Sequence, residues 1–169
     1  MIDFTIPEEA KAVRDKVRAF VQSECHPAEE TCTADNFDET MAGLRSKARA
    51  QGLWCPFIPV EHGGMGLRPL ANALVQMELG ESHLGALSLN TQGPDDATML
   101  TLLEHGTDFQ KETFLKPLLN GEKRICYSMT EKAAGADATG MQTTAVLEGD
   151  EWVLNGEKWF SSSASVADL

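Results

Sequence analysis

The chain has 169 residues, 42% of them hydrophobic and 24% charged, enough for one domain with a sizeable core. Its formal net charge of −12 and pI of about 4.7 argue against nucleic acid or an anionic membrane as the main partner, because both demand a basic surface. An anionic small ligand stays compatible, since a local site can oppose the global charge. Cys25, Cys32, Cys55 and Cys126 follow neither a zinc-ligand nor a tight disulfide spacing and are expected as reduced thiols. His26, His62, His83 and His105 stand at no catalytic spacing from a Ser, a Cys or one another.

The opening Met1-Ile-Asp-Phe-Thr5 lacks the basic region and apolar core of a signal peptide. It is too acidic for a mitochondrial transit peptide. No stretch has the apolar length of a membrane span, so a cytoplasmic protein is the expectation. Thr5 is placed to cap a helix from Pro7, with Ala10, Val13, Val17, Phe20 and Val21 as its apolar stripe. Pro27 is expected to end or bend it. A second helix runs from Asp38 to Gln51, with Met41, Leu44 and Ala48 on one face and Gly52 ending it.

Leu53 to Leu67 carries two prolines and several glycines, which forbid regular structure; packing Trp54 and Phe57 into the core is its expected role. Pro69 to Ser82 fits a helix with Leu70, Leu74, Met77 and Glu78 on one face. A further helix begins at Pro94, with Asp95 and Asp96 at its positive end, Ala97, Leu100, Leu103 and Met99 inward, and Gly106 as its end. Asp108 is expected to cap another, whose core face is Phe109, Phe114, Leu115 and Leu118.

From Arg124 the pattern changes. Ile125–Met129, Thr143–Leu147, Glu151–Leu154 and Lys158–Ser161 are strand-like, and Asn155-Gly156 is the strongest hairpin signal. The expected fold class is therefore α+β: an all-α domain over 1–123, then the first strands of a β domain over 124–169. Three or four strands are too few to close a barrel, so the rest is expected from further chain or from a partner.

Tyr127-Ser-Met-Thr-Glu-Lys-Ala-Ala-Gly-Ala-Asp137 is a small-residue loop whose open backbone N–H groups suit an electron-rich ligand. With Pro59-Val-Glu-His-Gly-Gly-Met-Gly66, Leu115-Lys-Pro-Leu-Leu-Asn-Gly-Glu122 and Asn155-Gly-Glu-Lys-Trp-Phe-Ser-Ser162, in that order along the chain, it resembles the acyl-CoA dehydrogenase family. The resemblance covers essentially the whole chain. It implies an N-terminal helical domain, a β-barrel-like middle domain and a C-terminal helical domain, of which this sequence holds the first and the start of the second.

The implied chemistry is FAD-dependent α,β-dehydrogenation of an acyl-CoA thioester in fatty acid metabolism. A glutamate removes the α-proton, the β-hydride goes to flavin N5, and electrons pass to an electron-transfer flavoprotein. A homodimer or homotetramer is implied as well. Tyr127, Met129 and Thr130 match positions that line the flavin ring, and Phe160 and Ser162 the aromatic and hydroxyl positions near N5. Gly135 lets the backbone approach the cofactor. Ala136 replaces a pyrophosphate-contacting serine, leaving only its N–H, and belongs with the substrate-side positions too. Lys132 replaces a usual proline and is expected to face solvent. Gly93 begins the helix implied to line the acyl end of the pocket.

Glu78, Glu81, Glu104, Glu131 and Glu157 match no catalytic base, which the resemblance places beyond Leu169, so the 169 residues alone are expected to be inactive. An acyl-CoA oxidase-like flavoenzyme and a non-catalytic assembly module are the alternatives.

Overall fold

A computed structural model describes residues 5–168; apart from Thr5, the opening segment read above lies outside the described residues. The chain divides into two compact units, Met1–Glu122 and Lys123–Leu169.

The first unit is helical. Helix α1 spans Glu8–Phe20, continues as a π-helical turn over Val21–Cys25 and then as α2, His26–Thr31. Pro27 therefore neither ends nor sharply breaks the run. It lacks the N–H that an α-helical ladder would need, and the wider turn just before it, in which the His26 N–H reaches the Val21 carbonyl, absorbs the misfit. The same device recurs ahead of Pro117: α7, Asp108–Gln110, leads through a π-helical turn, Lys111–Leu115, into α8, Lys116–Leu119. The capping position of α1 is Pro7, not Thr5, because the first intrahelical bonds run to the Pro7 carbonyl.

Helix α3, Phe37–Ala50, buries Met41, Leu44 and Ala48 as its spacing predicts. It ends at Gly52, φ 67°, where the Leu53 N–H bonds the Ala48 carbonyl and the Gly52 N–H the Arg49 carbonyl. This pair of bonds needs a left-handed residue between them, which glycine adopts without strain. Gly121, φ 66°, closes α8 in the same way. The last carbonyls of α8 and its turn are also held from outside. Trp54 Nε1 donates to Leu119 at 2.9 Å, Arg49 to Asn120 at 2.6 Å and Arg45 to Gly121 at 3.0 Å, while the Arg49 guanidinium lies 3.6 Å over the Trp54 ring.

The core gathers Val17, Phe20, Val21 and Cys25 with Leu44, Ala48 and Leu53, and with Val75 and Leu79 of α4, Pro69–Leu79, which packs along α1. In the irregular segment Leu53, Trp54, Cys55 and Ile58 are buried and Phe57 only half so. Several predicted faces are rotated. In α4 the buried residues are Val75 and Leu79, while Leu70 and Met77 are exposed. In α6, Asp95–His105, Met99 is buried and Ala97 exposed. Thr107, not Asp108, caps α7 through a reciprocal pair of bonds with Gln110, because the cap residue lies just outside the helix. Phe109 is exposed, with its ring edge-on to Phe114.

Gly85 opens the short helix α5, Gly85–Ser88, directly against the end of α4. A Cβ there would stand 3.0 Å from the Leu79 carbonyl carbon and closer still to its oxygen.

The second unit holds two antiparallel strands, β1 Thr144–Glu148 and β2 Glu151–Asn155, pairing Thr144 with Asn155 through Glu148 with Glu151. The fold class is α+β, as read. Ile125–Met129 and Lys158–Ser161, however, are not strands. Phe160, φ 55°, and Ser163, φ 69°, turn left-handed and interrupt the extended backbone a ladder requires. The hairpin turn is Gly149-Asp150, with Gly149 at φ 63°, whereas Asn155-Gly156 ends β2. The two faces of the hairpin are both apolar: Val146 with Val153 on one, Ala145, Leu147, Trp152 and Leu154 on the other.

Replacing Gly85 with alanine is expected to destabilise the helical unit by about 1–3 kcal/mol, as overpacking against backbone does. Urea unfolding followed by helical ellipticity measures this; an unchanged midpoint would contradict the close approach at Leu79.

Candidate functional site

The small-residue loop begins where Tyr127–Glu131 runs antiparallel to Lys158–Ser161. The Trp159 N–H donates to the Thr130 carbonyl at 2.8 Å, and the Ser128 hydroxyl to that of Ser161 at 2.5 Å. Farther out, Arg124 and Asp168 exchange two bonds of 2.9 Å. After Glu131 the chain folds into successive turns: the Ala134 and Gly135 N–H groups return to the Glu131 carbonyl, and Gly135, φ 57°, supplies the left-handed residue. Asp137 ends the loop by accepting from the Thr139 N–H and hydroxyl, and this holds its carboxyl below the usual carboxylate range.

The centre of the unit is Glu131, 5% exposed. Its Oε1 accepts from Lys158 Nζ at 2.8 Å and the Thr143 N–H at 3.0 Å, and its Oε2 from the Gln142 N–H at 2.6 Å. The Lys158 ammonium, followed by Thr143 and the Gln142 amide, holds this carboxyl at about 2, well below its ordinary 4.5. Lys158 Nζ also reaches the Met129 carbonyl at 2.9 Å and Met141 Sδ at 3.5 Å. Beside the pair lies a cleft of about 730 Å³ lined by Lys132, Ala133, Thr144, Gly156 and Glu157 among others. Gly156 passes so close to Thr143 that a Cβ would stand 2.7 Å from the Thr143 Cα.

The sequence-derived site residues fall into three groups. Met129, Thr130 and Phe160 belong to the paired segments, with the Met129 and Thr130 carbonyls bonded to Lys158 and Trp159. Tyr127 donates its hydroxyl to Met129 Sδ at 3.7 Å, and the Ser162 N–H bonds the Phe160 carbonyl at 2.7 Å. Tyr127, Met129 and Phe160 are all exposed, Phe160 by 74%. Gly135 and Ala136 lie on the outer turn, and Gly93 stands in the other unit, where a Cβ would meet nothing within 4 Å. Among the described residues, the Thr130 hydroxyl and N–H and the Ala136 N–H have no acceptor. Exposed rings beside unpaired donors suit a flat, partly anionic group.

Lys132 is exposed, and its ammonium sits 5.3 Å over the Trp159 ring, while Trp159 stacks on Phe160 with centroids 5.5 Å apart. The sequence reading missed Glu131 and Lys158 as partners. No local signal linked them: Lys158 stands between Glu157 and Trp159, and Glu131 between Thr130 and Lys132.

Because Glu131 titrates at about 2 in the fold and near 4.5 when unfolded, its stabilisation is complete above about pH 4.5 and is lost as pH falls toward 2. Protection factors at the Gln142 and Thr143 amides, measured by hydrogen exchange, should decline across that window. In Glu131→Gln that part of the decline disappears; an identical decline in the variant would assign it elsewhere.

Two family models match the chain: the acyl-CoA dehydrogenase N-terminal domain over residues 7–122 and the middle domain over 126–169. A short-chain-specific acyl-CoA dehydrogenase of Clostridium acetobutylicum is 34% identical over 99% of this chain and 43% of its own length. Acyl-CoA dehydrogenase family member 11 of Gallus gallus is 35% identical over 88% of this chain and 20% of its own. The chain thus spans less than half the length of these relatives. A solved structure from Mycobacterium abscessus, assigned to the acyl-CoA dehydrogenases, superposes with a TM-score of 0.84 at 34% identity, covering 94% of this chain and 43% of that one. An acyl-CoA dehydrogenase of Bacillus anthracis, solved in complex with FAD, gives 0.69 at 27% identity, covering 99% and 29%. With both models matched in order and together spanning nearly every residue, the chain belongs to the acyl-CoA dehydrogenase family.

Proposed function

We propose that the protein is an FAD-dependent acyl-CoA dehydrogenase in which this chain supplies the helical domain and one wall of the flavin site. The observation that carries the reading is the antiparallel pairing of Met129–Glu131 with Lys158–Trp159 beside exposed Tyr127, Met129 and Phe160 and the unpaired donors of Thr130. Bound FAD supplies the acceptor for a β-hydride removed from an acyl-CoA thioester.

Thr130, through its hydroxyl and N–H, would supply donors to the flavin ring, and donors aimed at charge that develops on reduction favour the reduced state. Phe160 and Met129 offer apolar surface to the ring and keep water from it. Tyr127 and Ser162 line the same wall. Gly135 and the Ala136 N–H approach the phosphate-bearing part, with Ala136 also toward the substrate. Gly93, where an added Cβ would meet nothing within 4 Å, would leave room for an acyl chain. The proton-abstracting base is assigned to residues beyond Leu169, with an electron-transfer flavoprotein as acceptor, a homo-oligomer as the working form and the cytoplasm as its setting.

Protein expressed from its own gene should purify with stoichiometric FAD, identified by chromatography after denaturation. Its flavin absorbance should bleach when an acyl-CoA is added without oxygen. Flavin-free protein that takes up no FAD, or no bleaching across a series of acyl-CoAs, would refute the proposal. Thr130→Val should weaken FAD binding about fivefold, the effect of one lost hydrogen bond of about 1 kcal/mol.

A further inference from the structure

We propose that Glu131 and Lys158 are positioning residues, a clamp of a buried carboxylate and a half-buried ammonium that fixes the register between the Met129–Glu131 and Lys158–Phe160 segments and thereby aligns the two halves of the ligand wall. The inference rests on the flavin reading for the identity of the ligand, but the register itself is a property of this chain.

Five contacts meet at the pair. The Glu131 carboxylate accepts from Lys158 and from the Gln142 and Thr143 N–H groups, and the ammonium reaches the Met129 carbonyl and Met141 Sδ in addition. An ionised carboxylate is an acceptor only and an ammonium a donor only, so neither can be replaced by a neutral isostere without facing a donor with a donor or losing a bond. The clamp has a direct outcome at the neighbouring residues. With Glu131 bound to Lys158, the next residue on each chain segment, Thr130 and Trp159, is brought to a 2.8 Å backbone bond. A shift of one residue would break that bond and separate Thr130 from Trp159, and so from Phe160, which follows Trp159 and stacks on it.

Among the described residues the other bonds between the two segments are few: the exposed Ser128–Ser161 hydroxyl bond and the Trp159–Thr130 backbone bond, with the Arg124–Asp168 pair farther out. The two segments form no strand ladder, and the side chains around them are largely exposed, including Tyr127, Met129, Trp159 and Phe160. The polar clamp takes the place of a ladder and a core.

The test compares protein expressed from its own gene with Glu131→Gln, Lys158→Met and, as a control, the exposed neighbour Glu157→Gln. Hydrogen exchange at the Trp159 amide reads the register without any ligand. FAD titration of the flavin-stripped proteins gives affinity, and visible circular dichroism of the bound flavin reports the alignment of the wall. The expected result is lost protection at Trp159, FAD affinity weakened about tenfold or more and a changed flavin dichroism in both clamp variants, with Glu157→Gln unaffected. A purely structural role would lower melting temperature yet leave the dichroism of bound flavin unchanged, and that outcome overturns the proposal. So does wild-type protection at Trp159 in both variants. If the wild-type protein binds no FAD, the functional reading fails, while the exchange data at Trp159 still decide the register. Lys158→Met supplies the second answer should Glu131→Gln not fold.

Discussion

A carboxylate removed from water must be met by donors, and the second unit is organised by that requirement at Glu131. Left unpaired, a buried charge is costly enough to unfold its surroundings or to neutralise itself. Here the lysine and two backbone N–H groups reach its two oxygens, and they come from two stretches of chain: Lys158 after β2, Gln142 and Thr143 before β1. Meeting the charge therefore closes the loop, orients the hairpin and draws the return segment alongside. The depressed titration of Glu131 is the same fact seen from the proton's side.

The helical unit is held by different physics. Phe20, Leu53, Leu79 and Met99 are almost wholly buried, and burial of each such side chain contributes about 1.5–3 kcal/mol. Polar groups enter where helices end. Trp54, Arg49 and Arg45 occupy the carbonyls that the end of α8 leaves without intrahelical partners. Asn90, itself buried, donates to the Leu118 carbonyl at 2.9 Å and to Cys55 Sγ, and burial raises the Cys55 thiol to about 11, which keeps it protonated and inert. The unit thus ends at Glu122 on a firmly anchored helix.

Family membership and site geometry constrain function from separate directions. The family models and relatives say which chemistry to consider. The paired segments carry the contribution proposed for this chain: exposed rings beside the Thr130 donors, with the Glu131–Lys158 ion pair joining the segments. Lys132 lies over Trp159, which in turn stacks on Phe160.

What the sequence determined by itself was set by local rules. Apolar spacing placed α3 and its buried Met41, Leu44 and Ala48, and glycine chemistry placed its end at Gly52. The change of period near Arg124 marked where helices give way to strands, and the ordered motifs identified the family. Tertiary structure decided what local rules leave degenerate. Which face of α4 turns inward depends on α1 packing along it, so Val75 and Leu79 are buried while Leu70 and Met77 are not. Asn155-Gly156 carries the stronger turn signal, yet the pairing of Glu148 with Glu151 puts the turn at Gly149-Asp150. Lys158 and Glu131 are 27 residues apart, and no periodicity links them. Only the folded chain brings a charge and its counterion together, because the cost of burying either alone exists only once water has been excluded.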